Sequence, residues 1–207
     1  MKSNLFFTNA QIENDLIELF IKNCKNYIFT DISEIKKEKS ESPDFILTNN
    51  SHFIGVEITR ALNQNLQKCI KINHKYFNGK MIISTIEFEQ NKQMSKEEII
   101  YQLKETKNKN IGKAYIGNDM EDLASDTIIE SIKKKQNKFQ NFEKFDKNIL
   151  LIHREMEPSL DIKIVALNIE NYLKVNLLQF DFLFIKLSKY FLYFNKNKFL
   201  EYIKIID

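Results

Sequence analysis

The chain has 207 residues, 43% hydrophobic and 12% aromatic, which is the composition of a globular protein and excludes a disordered one. Lys plus Arg exceed Asp plus Glu only by 31 to 28, a balance that permits a nucleic-acid partner without requiring one. Cys24 and Cys69 are too few for a disulfide framework and lack zinc-site spacing, no run approaches a membrane span, and "MKSNLFFTNAQ" lacks a signal-peptide pattern.

These features predict one soluble, cytoplasmic domain over residues 1–207, with no membrane partner. Thr8 and Gln11 have capping-box spacing, and Ile12, Leu16, Leu19, Phe20 and Cys24 recur at helical intervals, so a first helix is expected there. "NYIFTDIS" (26–33) reads as a strand and "EIKKEKSES" (34–42) as a charged loop. "DFILT" (44–48) and "HFIGVEIT" (52–59) form a hairpin around "NNS".

Residues 60–118 read as an insertion between core elements, with "LNQNLQKCIKINHKYF" and "SKEEIIYQLKE" helical and "KMIISTIEF" extended. A longer helix is expected over 120–142, then a buried strand at "NILLIH" (148–153). "DIKIVAL", "FDFLFIKL" and "YFLYFN" are predicted as further strands. The order helix, strand, hairpin, insertion, helix, strand requires a crossover between "HFIGVEIT" and "NILLIH", hence a parallel pair in a mixed sheet flanked by helices.

Strand alternation separates Ile54, Val56 and Ile58 from Phe53, Gly55, Glu57 and Thr59, so Glu57 shares its face with a glycine that leaves space beside it. Asp44 opens the partner strand after Pro43, and a turn at 49–51 brings Asp44 and Glu57 to the same end of the hairpin. Two carboxylates so placed repel unless a cation lies between them, and hard divalent ions take oxygen ligands. Edge carboxylates solvated or paired with lysine are the competing reading.

Helical wheels sharpen the choice. Glu13 falls inside the apolar arc of the first helix, whereas Glu18 lies on the far side. Lys135 falls within the Ile128–Ile132–Phe139 stripe of the later helix; Lys133 and Lys134 point away, and Lys138 sits at the border. The three histidines, His52, His74 and His153, share no metal-ligand spacing, and no nucleophile has a base placed beside it.

Pro43-Asp44 followed by Glu57-Ile58-Thr59 resembles the PD-(D/E)xK, or restriction-endonuclease-like, nuclease superfamily. The resemblance covers about residues 8–60 and 120–153 and implies an α/β fold with an αβββαβ core and an insertion after the third strand. It implies Mg²⁺ (or Mn²⁺) held by Asp44, Glu57, the Ile58 backbone carbonyl and Glu13. The family's lysine position is Thr59 here, and Lys135 resembles the migrated lysine that some members carry on the following helix. The implied activity is metal-dependent phosphodiester hydrolysis by Asp44, Glu57 and Lys135, on DNA more than RNA, with Thr59 and Lys138 touching nucleic acid. Thr59 keeps open an inactive relative that binds nucleic acid or a protein; a homodimer is left open too.

Overall fold

The computed structural model describes residues 9–28, 32–37, 43–49, 52–81, 83, 88, 93–106, 117–154, 160–196 and 200–206. In chain order the elements are α1 (Asn9–Cys24), β1 (Glu34–Lys37), β2 (Phe45–Asn49), β3 (His52–Arg60), α2 (Gln64–Phe77) and α3 (Lys96–Thr106). They continue with α4 (Asp119–Lys138), β4 (Lys147–His153), α5 (Ile162–Val175), β5 (Phe182–Leu187), β6 (Tyr190–Asn195) and β7 (Leu200–Lys204).

The seven strands form one mixed sheet in sequence order. β1, β2 and β3 run antiparallel, β3, β4 and β5 parallel, and β5, β6 and β7 antiparallel. The parallel centre follows from its connections. β3 reaches β4 through α2, α3 and α4, and β4 reaches β5 through α5, whereas the strands of each outer pair follow one another closely in the chain. Among the described residues no helix is long and apolar enough to cross a membrane.

Alternation divides the core into two layers. On one face, Leu16, Ile17, Phe20 and Cys24 of α1 cover Leu47, Ile54, Val56, Ile149, Leu151 and Phe184. On the other, Ile128 and Ile132 of α4 with Val165 and Ile169 of α5 cover Leu150, Ile152, Leu183 and Ile185. A third cluster joins α2 to α3 through Leu66, Cys69, Ile72, Ile99 and Leu103. Reciprocal Ser95–Glu98 hydrogen bonds form the capping box that starts α3. Cys24 and Cys69 are buried free thiols, and burial pushes the Cys69 thiol up to about 12.

Three sequence expectations need correction. The strand expected over 26–33 is a 3-10 turn at Lys25–Tyr27 followed by irregular chain at Ile32 and Ser33, with 29–31 outside the described residues. Its apolar residues anchor α1 instead: the Tyr27 hydroxyl donates to Glu201 Oε1 at 2.6 Å, and Ile28 joins the α1-side core. The strand lies within the expected loop, at exposed β1, where charged residues suit an unpaired sheet edge. "DIKIVAL" begins a helix, because Asp161 caps the Lys163 amide and Ile162, Val165, Ala166, Ile169 and Leu173 follow a helical period. Two expectations fall partly beyond description: Thr8 lies outside the described residues, as does most of "KMIISTIEF". Of that segment Met81 and Ile83 are irregular and Phe88 is helical.

Candidate functional site

Gly55, Glu57 and Thr59 point to the α4 side of β3, where Glu57 pairs in register with Leu150 of the α4-side core. Glu57 is only 3% exposed. A carboxylate so placed needs a cation, since desolvating an uncompensated charge costs several kcal/mol. Lys135 supplies it: one turn beyond Ile132, its ammonium donates to Glu57 Oε1. The lysine side chain is 20% exposed, so its stem is covered while its head reaches inward. The space expected beside Gly55 is filled. A Cβ there would meet Phe145 Cδ2 at 2.7 Å and Pro43 Cγ at 3.3 Å, so the glycine admits the ring that walls the site.

Asp44 is positioned by the end of a strand. β2 pairs with β3 up to Phe45↔Val56, leaving the Ile58 amide beyond the last ladder pair. Asp44 Oδ2 accepts from that amide at 2.7 Å. Asp44 thus extends the hairpin with its side chain and stands against the Glu57–Ile58 peptide. Burial raises the Asp44 pKa above the usual aspartate value, opposed by the Ile58 N–H and by Lys135 and Lys37, and assisted by Glu13. The Ile58 backbone, expected to offer its carbonyl to a metal, engages Asp44 through its N–H.

Glu13 departs from the expected core position. α1 buries Leu16, Ile17 and Phe20, while Glu13, one turn earlier, sits at the rim and accepts from Lys37 of β1 at 3.1 Å. Lys37 also reaches Asn14 Oδ1 at 3.4 Å and lies 5.1 Å from the Phe45 ring centroid. Among the described residues, no three His, Cys, Asp or Glu side chains gather as a metal-holding group. Asp44, bonded to the Ile58 amide, and the neighbouring Glu57 carry carboxylate oxygens, the donor type that Mg²⁺ takes.

Two clefts open beside the carboxylates. One of about 380 Å³ is lined by Glu13 and Ile58, the other of about 540 Å³ by Gln64 and Ser131, and Thr59, Arg60, Lys71 and Lys134 line both. Lys134 is exposed on the solvent side, as its wheel position predicts, but that side is a cleft wall. Lys138 is exposed and lines neither cleft. The role of Arg60, Lys71 and Lys37 around the site escaped the sequence reading, because nothing in a wheel or an alternation pattern reports which helices meet across a gap.

His153 ends β4 between Arg60 of β3 and Lys186 of β5. Burial, then Lys186 and Arg60, push its pKa down to about 4, so it adds no positive charge at neutral pH. Glu121, in the first turn of α4, is buried and accepts from the Asp161 amide at 2.9 Å.

Compared with family models, curated proteins and solved structures, the chain matches none.

Proposed function

We propose that the protein is a metal-dependent phosphodiesterase of the restriction-endonuclease-like type, acting on nucleic acid, DNA more than RNA. The observation that carries this reading is the Glu57–Lys135 pair beside Asp44, next to Ile58 and Thr59 on the lining of two basic clefts. The order α1, β1, β2, β3, then α4 and β4, is similar to the αβββαβ core of that superfamily, with α2 and α3 as the insertion. A surface salt bridge has no need of a sheet interior. A site that must bring a cation, a water and a phosphate together does.

A divalent ion held by Asp44 and Glu57 would withdraw charge from the scissile phosphate and acidify an attacking water. Lys135 then has two tasks. It neutralises Glu57 when no other cation is present, and beside a phosphate its ammonium stabilises the negative charge that grows on the equatorial oxygens. The Ile58 amide fixes Asp44, so the carboxylate needs little reorganisation before reaction. Phe145 and Pro43 fill the space over Gly55 and keep bulk water from that side.

The test is incubation of purified protein with plasmid and single-stranded substrates in Mg²⁺, Mn²⁺ or EDTA. The expected result is cleavage in either metal, none in EDTA, and none by Glu57→Gln. Cleavage by Glu57→Gln at the wild-type rate would remove Glu57 from the reaction. Thr59 at the usual lysine position and the absence of a three-ligand group among the described residues favour a second reading, a nucleic-acid-binding module without hydrolysis. It predicts binding without cleavage in every metal.

A further inference from the structure

The two clefts share a floor at Thr59 and Arg60 and are walled by helices on opposite sides, α2 with Lys71 and α4 with Lys134. Thr59 lies on the Glu57 face of β3 two residues further on, and Ile58, whose amide holds Asp44, lines the smaller cleft, so the clefts border the residues next to the carboxylates. Their charge is strongly one-signed. Lys68 and Lys133 join the larger cleft, against the single acids Glu130 there and Glu13 in the smaller. Lys68 already reaches the Met94 carbonyl at 3.5 Å, and Lys133 lies over the Tyr172 ring at 5.4 Å. Among the described residues, Lys71 and Lys134 take part in no ion pair.

Size and chemistry decide what fits. About 380 and 540 Å³ fall in the range of small-ligand pockets, room for a few nucleotides of one strand and not for a duplex. Among the described residues no aromatic side chain lines either cleft, so these walls offer no platform on which bases would stack. Lysines on two walls, with glutamines beside them on the α2 wall, suit a phosphate backbone whose bases face outward.

Building on the phosphodiesterase reading, we infer that the clefts form a backbone-tracking path for single-stranded nucleic acid, gripped by Lys71 of α2 and Lys134 of α4 and leading a strand to Asp44 and Glu57. The two-helix unit α2–α3 is on this account a wall of the substrate channel. Recognition is indifferent to sequence, because phosphates carry none. Duplex must fray or present an unpaired end to enter.

The test is fluorescence anisotropy with labelled oligo-dT, oligo-U and a blunt hairpin duplex, all in EDTA so that no cleavage is needed. Wild type should bind both single strands at least tenfold more tightly than the hairpin. Lys71→Glu/Lys134→Glu should lose at least tenfold in single-strand affinity. Lys71→Gln/Lys134→Gln, gentler on folding, should lower the slope of log affinity against log salt by about 1.4, two contacts at roughly 0.7 each. Lys163→Glu, on α5 away from both clefts, should leave affinity unchanged. Equal binding by wild type and the double variants, or a preference for the hairpin, overturns the inference. Single-strand binding that depends on Lys71 and Lys134 but is never followed by cleavage leaves the path standing and removes the hydrolytic reading.

Discussion

Two carboxylate–lysine pairs flank Asp44, and they differ in almost everything except chemistry. Glu57 and Lys135 are 3% and 20% exposed, joined across a sheet–helix interface. Glu13 and Lys37 are 30% and 41% exposed and meet at the rim, from the start of α1 to an edge strand. Water can solvate either member of the rim pair if the other is lost. The buried acid has no such alternative, and this is where a charge placed by the sequence signals function more than stability, since an apolar pair would serve the core at least as well.

Removing a lysine from each pair should separate them sharply. Lys135→Met takes the ammonium from a buried carboxylate and should lower the unfolding free energy by about 3 kcal/mol in EDTA at neutral pH, read by denaturant titration. Glu57→Gln/Lys135→Met should recover most of that loss. If the single variant is as stable as wild type, the pair is not holding a buried charge.

A smaller, pH-dependent effect belongs to Asp44. Its folded pKa is raised, chiefly by burial, so the folded state holds its proton more tightly than the unfolded chain does. The linkage sign is then negative: this contribution favours folding below the ordinary aspartate pKa of about 4 and is lost as pH rises through the higher folded value. Asp44→Asn keeps an oxygen for the Ile58 amide and removes the desolvated charge. It should flatten the stability–pH curve in that window and leave the variant at least as stable as wild type at neutral pH. Parallel curves for the two proteins would show that Asp44 is not the group responsible.

The rim pair should respond least. Lys37→Met is expected to cost less than about 1 kcal/mol, and the difference should vanish in high salt. A loss as large as that of Lys135→Met would erase the distinction between the pairs.

The readable parts of this molecule were those governed by one period. The β2–β3 hairpin, β4, β5 and β6 follow from alternating or continuous apolar runs bounded by turns. Lys135 beside Glu57 followed from combining a wheel with an alternation pattern, two local rules that meet at one interface. Where competing signals overlapped, the reading failed. "DIKIVAL" is rich in β-branched residues, yet Asp161 and the longer period through Leu173 make it a helix. Glu13 lies in the apolar arc, but the arc's first turn reaches past the buried stripe to the cleft rim. Phe145, ninety residues from Gly55, could not be foreseen in the gap beside it, and neither could the approach of α2 to α4 that makes Lys71 and Lys134 neighbours of the same cleft. Such contacts are set by tertiary geometry alone.

The most direct test of the central claim is calorimetric titration of Mn²⁺ into wild type and into Asp44→Asn, Glu57→Gln and Lys135→Met. Saturable binding by wild type, its loss in both carboxylate variants, and tighter binding by Lys135→Met, where the lysine no longer competes for Glu57, are the results expected. No binding by wild type, or binding by Glu57→Gln equal to wild type, would contradict a metal site at these carboxylates.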